Sequence, residues 1–188
     1  AARETLEEAG LLLAIDEHGD EVQPHHATAA RAAHLRGHLD VYLDTHGLRL
    51  DVSRFVYLSH WITPEGSPRR YDTRFFVGLA PSGQDPSADE TETVGCEWIR
   101  PADALDAYND KRLTMVFPTV RTLMTLQAFD TADVALQTLR ESQSTVEVTA
   151  PKLVRYRGRI EVALPGDPAW SDGEPVEEQV VLPRTPQP

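Results

Sequence analysis

The stretch Arg3-Glu4-Thr5-Leu6-Glu7-Glu8-Ala9-Gly10-Leu11 sets the reading of the chain. On a helix, at about 100° per residue, Glu4, Glu7 and Glu8 fall within an arc of roughly 100° on one face. Leu6 lies about 200° round from Glu4 and, with Ala2 and Ala9, makes an apolar stripe expected to pack inward. Like charges at this spacing cost a helix about 0.2–0.5 kcal/mol per pair. A hard cation reverses the sign, because carboxylate oxygens suit Mg²⁺, Mn²⁺ or Ca²⁺. Arg3, one turn before Glu7, can steady it as an ion pair. Gly10 supplies the left-handed residue that stops the helix, and Leu11 to Leu13 are expected to continue as a buried strand. The same residues also suit a solvated surface helix ended by glycine.

A second stretch carries independent information: His60-Trp61-Ile62-Thr63-Pro64-Glu65-Gly66-Ser67-Pro68-Arg69-Arg70-Tyr71-Asp72-Thr73-Arg74-Phe75-Phe76. Phe55, Tyr57, Ser59 and Trp61 alternate with Val56, Leu58, His60 and Ile62, the pattern of a strand covered on both faces. The turn at Pro64 to Pro68 leads into a second strand over Arg70 to Leu79, and an antiparallel pair is expected. Arg70, Asp72 and Arg74 share one face of that strand, so Asp72 can hold an arginine in place. Guanidinium groups bind phosphate bidentately, which makes Arg69, Arg70 and Arg74 candidates for substrate phosphates. Trp61 and Phe75 can stack a base or line a channel, or simply be core.

Taken together, these stretches resemble the Nudix hydrolases. The first is similar to the C-terminal half of the Nudix box, matched at Arg3, Glu4, Glu7, Glu8, Gly10 and Leu11, with Thr5 where an aliphatic is usual. The second resembles the branch that contains the peroxisomal coenzyme A diphosphatases and bacterial relatives. Further matches follow in register at Glu92, Trp98, Ile99, Pro101, Ala104, Leu105 and Phe117-Pro118-Thr119, so the resemblance covers about residues 1 to 130. It implies an α/β/α sandwich with a mixed sheet. It also implies that the chain opens inside the box, with the box glycine, a glutamate and several strands lying upstream. The implied activity is hydrolysis of a pyrophosphate bond with Mg²⁺ or Mn²⁺, the substrate being coenzyme A or an acyl derivative. Glu7 and Glu8 are the implied metal ligands, Glu4 a ligand or general base, and Glu92 a candidate base. Other readings stay open: an ADP-ribose, NADH or nucleoside triphosphate pyrophosphohydrolase, or a catalytically inactive nucleotide-binding or regulatory domain.

Composition is consistent with that picture. The 188 residues suffice for a sizeable core. A net charge of −12 argues against nucleic acid held on a broad basic surface, while still permitting a phosphorylated small molecule bound through a metal and a few arginines. The lone Cys96 forms no internal disulfide, and beside Trp98 and Ile99 a packed thiol is expected. No apolar run reaches the roughly 18 residues needed to span a bilayer. A cytoplasmic enzyme is the expectation, acting on a nucleotide substrate without nucleic acid or membrane partners, and a homodimer is compatible with it.

Along the chain, residues 1 to 10 read as helix and 11 to 15 as strand. Asp16 to Pro24 is a polar connection turning at Gly19-Asp20, and Ala27 to Asp44 reads as one amphipathic helix within an insertion of about 24–46. All seven histidines lie in residues 18 to 60, and they are expected to be solvated even though His34 and His38 are one turn apart. Residues 81 to 93 read as a polar loop and Val94 to Ile99 as a third strand. Pro101 and Pro118 open helices, the second running to Phe129, and Asp130 or Thr131 caps another through Leu139. Lys152 to Tyr156 and Arg159 to Leu164 form a hairpin across Arg157-Gly158, with Arg155, Arg157 and Arg159 at a solvated tip. Residues 1–130 are thus the expected hydrolase domain, 131–170 a helix and hairpin extension, and 171–188 an acidic, proline-rich disordered tail.

Overall fold

The computed structural model describes residues 1–88 and 95–176. Helix α1 (Ala2–Ala9) turns its apolar stripe inward, with Leu6 fully buried. Gly10 ends it at φ 69°, and the Gly10 and Leu11 amides donate to Leu6 O (3.1 Å) and Thr5 O (3.4 Å). Leu11, Leu12 and Leu13 are buried as expected, but only Ala14–Ile15 forms strand, β1. Gln84 explains the difference. Its Oε1 accepts from the Leu12 amide (2.8 Å) and its Nε2 donates to Leu12 O (3.1 Å). A buried side-chain amide thus satisfies the backbone groups that a neighbouring strand would otherwise have to meet.

Two helices follow where one was expected, α2 (His25–Leu35) and α3 (Leu39–Thr45). Gly37 adopts φ 76°, its amide donating to His34 O (2.8 Å) and that of His38 to Ala33 O (2.9 Å), a glycine-dependent helix stop that amphipathic periodicity does not reveal. Strand β2 (Arg49–Leu50) pairs antiparallel with β1. Leu6, Leu12, Ala27, Ala30, Leu39 and Leu43 are among the residues of one core that joins α1, α2 and α3. These elements belong to a first compact unit, Ala1–Val56 with Val77–Ile99.

The second unit comprises Tyr57–Phe76 and the chain from Arg100 onward. Strand β3 (Val56–Ile62) lies between β4 (Asp72–Val77) and β5 (Val148–Thr149), and β5 runs parallel to β3 with His60 opposite Val148. Strand β4 is shorter than expected at both ends. At its far end Gly78 lets the backbone pass Arg54, where a Cβ would stand 2.8 Å from Arg54 O. Helix α4 (Pro101–Asn109) starts at its proline, and α5 (Phe117–Leu126) has Pro118 in its first turn and stops before Phe129. Helix α6 (Ala132–Ser142) is capped by Thr131, whose Oγ1 accepts from the Val134 amide (3.3 Å).

The expected hairpin is present as β6 (Lys152–Tyr156) and β7 (Arg159–Ala163), with Tyr156 opposite Arg159. Its two-residue loop has φ 49° at Arg157 and φ 77° at Gly158, both positive, as the right-handed twist of the strands requires. Three expectations need correction. Residues 95–99 form no strand: among the described residues no strand pairs with them, and Trp98 is 67% exposed. Cys96 is consequently exposed rather than packed. Of the expected tail 171–188, residues 171–176 take up regular structure instead, β8 (Glu174–Pro175) hydrogen-bonding to β6 after a short helix, α7 (Pro168–Asp172), while 177–188 lie outside the described residues. The architecture is mixed α/β, and no helix among the described residues is long and apolar enough to cross a membrane.

Candidate functional site

Helix α1 presents Glu4 and Glu8 to solvent and leaves Glu7 half-buried. Its C-terminal end is held by a residue that the sequence pattern did not single out. Arg31 on α2 donates through Nε and Nη2 to Glu7 O (2.9 and 2.6 Å). Through Nη1 it reaches Ser87 O (3.1 Å), Ser87 Oγ (3.0 Å) and Ala88 O (3.4 Å). One guanidinium therefore satisfies an orphan carbonyl of the helix end, adds a cation where the helix dipole is negative, and ties down residues 87 and 88. Ser87 N–H also donates to Ala9 O (2.8 Å). The approach is so close that a Cβ on Gly10 would lie 2.5 Å from Ser87 Oγ.

Three residues beyond Arg31, His34 places Nε2 3.1 Å from Glu7 Oε2, with its imidazole only 17% exposed. His34 is thus a partner of the carboxylate helix rather than a solvated side chain, while His38 is exposed as expected. The expected Arg3–Glu7 ion pair does not form, and among the described residues Arg3 makes none. A partly buried imidazole on a packed helix loses little freedom on pairing, whereas an exposed arginine must order a long chain in water for little gain. The clue lay in α2 itself: Arg31 and His34 follow the buried Ala27 and Ala30 by four residues each, extending the buried stripe with polar groups.

The same unit anchors the start of the 81–88 segment. Glu21 Oε2 accepts from the Ser82 amide (3.0 Å), and Arg54 pairs with both Glu21 and Asp51, the latter at 3.0 Å. Burial raises the Glu21 pKa, but the Ser82 hydrogen bond and Arg54 outweigh it and leave the carboxyl below its usual value. Ser53 holds the Asp51 carboxyl down likewise, against burial and with help from Arg54. Glu92, a candidate base, lies outside the described residues.

In the second unit, Asp72 pairs with Arg74 as expected, Oδ1 to Nη1 at 3.3 Å. It also takes a partner that was not foreseen, the buried His60, whose Nε2 is 2.5 Å from the same oxygen. Arg70 donates to Thr63 O (3.2 Å) and stands 3.9 Å from Glu65. Arg69 is exposed and makes no ion pair among the described residues. Trp61 is buried, its indole N–H donating to Ser59 Oγ (3.2 Å) and its ring meeting Phe117 edge-on with centroids 5.7 Å apart. It is a packed residue of β3 before it is anything else.

Carboxylate oxygens on one helical face are the donor type that a hard divalent ion takes. Among the described residues no three His, Cys, Asp or Glu side chains converge closely enough to form a metal cage. Mg²⁺ needs none, since it is commonly held by one or two carboxylates and completed by water and substrate phosphates. The donor set of α1 fits such an ion.

Residues 1–126 match the family model of the NUDT19 Nudix domain, and the chain belongs to that family. It is also similar to a NUDIX hydrolase from Alicyclobacillus acidocaldarius of known crystal structure, at 30% sequence identity and a TM-score of 0.63. That similarity covers 74% of this chain and 64% of the other, so the chain spans somewhat under two thirds of that protein's length.

Proposed function

We propose that this protein hydrolyses a pyrophosphate bond in a nucleoside diphosphate-linked substrate, and that the substrate is coenzyme A or an acyl-coenzyme A. The observation that carries the reading is the α1 face of Glu4, Glu7 and Glu8, sealed at Gly10 and gripped by Arg31, in a chain of the Nudix family. A divalent ion, Mg²⁺ or Mn²⁺, held by these carboxylates would neutralise charge on the departing oxygen and acidify the attacking water. The chain's own contribution is placement. Arg31 fixes the backbone of Glu7, and His34 engages Oε2, which leaves Oε1 to a ligand. Glu4, exposed one turn earlier, serves as a further ligand or as the base that takes a proton from water. Arg69, Arg70 and Arg74 meet substrate phosphates, Asp72 steadying Arg74. The coenzyme A assignment is supported by the Trp61-Ile62-Thr63-Pro64 and Arg69-Arg70-Tyr71-Asp72-Thr73 segments.

Replacement of Glu7 or Glu8 by glutamine in the full-length protein should lower Mg²⁺-dependent turnover by about two orders of magnitude or more, with the fold intact by circular dichroism. Unchanged turnover removes the hydrolase reading. Rates on coenzyme A, ADP-ribose, NADH and dGTP decide the substrate, and coenzyme A ranking last would discard that assignment alone. Tight nucleotide binding without turnover would mark a binding domain instead.

A further inference from the structure

Within the second unit, residues of β3, α5 and β5 line a half-open cavity of about 280 Å³ in which several polar groups are left unmatched. Thr122 on α5 lines it, and its buried Oγ1 has no hydrogen-bond partner among the described residues. A helical threonine ordinarily satisfies its hydroxyl by donating to the carbonyl four residues back, as Thr125 does to Arg121 O (3.2 Å). Thr122 forgoes that bond, and its buried hydroxyl is left unmet, a state that disfavours the empty cavity. Ser59 also faces the cavity; its oxygen accepts from the Trp61 indole N–H, so its own proton is free to donate. Arg121, exposed on the solvent side, lines the same cavity and has no acidic partner among the described residues. Leu164 and the Trp61 ring supply apolar wall.

Hydroxyl donors and an unneutralised guanidinium around one space are matched by a ligand rich in acceptors and negatively charged. No carboxylate among the described residues lines the cavity. Its volume is just below the roughly 300–1,000 Å³ of sites that hold a whole drug-sized molecule, so it suits one group of a ligand. We propose that this cavity is an oxyanion site that takes a phosphoryl group, with Arg121 as the charge partner and Thr122 and Ser59 as hydroxyl donors. The assignment is independent of the carboxylates on α1 and of the reaction ascribed to them.

Titration with sodium phosphate at constant ionic strength, followed by NMR shifts of the Arg121 Nε–H and the Thr122 and Thr149 amides, tests it directly. Saturable shifts are expected, weakened about tenfold or more in Arg121→Gln and several-fold in Thr122→Val. Arg121 is exposed, so its variant keeps the fold even if the threonine variant does not. Adenosine 5′-monophosphate and adenosine, run in parallel, separate the sources. Tighter binding of the monophosphate assigns the site to an organic phosphomonoester, equal binding of phosphate to a free anion. Absence of saturation with either phosphate, equal binding of adenosine, or undiminished binding by Arg121→Gln would each overturn the proposal.

Discussion

At the scale of single residues, Gly10 and Arg31 decide whether the carboxylate face is presented at all. Gly10 meets two demands at once, a left-handed backbone and contact with Ser87 that excludes a Cβ. A side chain in that conformation costs about 1–2 kcal/mol before any clash is counted. Gly10→Ala should therefore lower stability by about 2 kcal/mol or more in urea unfolding. Arg31→Lys should destabilise too, because a single ammonium cannot span Glu7 O and Ser87 at once. A lysine variant with an unchanged midpoint would show that charge alone holds the helix end. Neither variant changes a carboxylate, so loss of activity in either would report placement of the α1 face.

At the scale of elements, the α2–α3 pair carries a histidine cluster with a definite pH response. His26 Nδ1 is 2.7 Å from Tyr42 Oη, Tyr42 stacks on His46 at 4.2 Å between centroids, and His25 lies 4.3 Å from His26. Burial lowers the His26 pKa below 6.5, and His25 and His46 add to the effect. The fold therefore favours the neutral ring. The associated stability is present above about pH 6.5 and is lost as pH falls through the lower folded value. Melting temperature should decline between pH 7.5 and 5.5, well above the range where Glu21 and Asp51, with their lowered pKa values, titrate. His26→Gln should flatten that slope, and a slope identical to wild type would assign it elsewhere.

For the molecule as a whole, the chain leaves its first unit at Tyr57, returns at Val77 and leaves again at Arg100. Helix α6 and the β6–β7 hairpin, expected as an extension beyond residue 130, belong to the same unit as β3, β4, α4 and α5. The carboxylates of α1 lie in the first unit and Arg69 and Arg70 in the second. If the arginines serve substrate phosphates, Arg69→Ala and Arg70→Ala should each lower kcat/KM by about 10- to 100-fold, about 1.4–2.7 kcal/mol. Their melting temperatures should barely move, because Arg69 makes no ion pair among the described residues and Arg70 offers one carbonyl contact and a long exposed pair. Arginines that merely support the strand pair would produce the reverse, a lower melting temperature with ordinary kinetics.

What the sequence determined by itself is local in origin. The stop at Gly10, the proline starts of α4 and α5, the Thr131 cap and the two-residue turn at Arg157-Gly158 depend on residues a few positions apart. The order of Glu4, Glu7 and Glu8 ahead of Gly10 is likewise a local pattern, and it carries the resemblance to the family. Tertiary structure alone decided the partners. Glu7 meets His34 rather than Arg3, Leu12 is completed by Gln84 from 72 residues away, and Asp72 serves His60 as well as Arg74. It also left residues 95–99 without strand structure despite the apolar Cys96, Trp98 and Ile99. Backbone propensity is written in neighbouring side chains, whereas a hydrogen-bond or ion-pair partner is whichever group packing brings within about 3 Å.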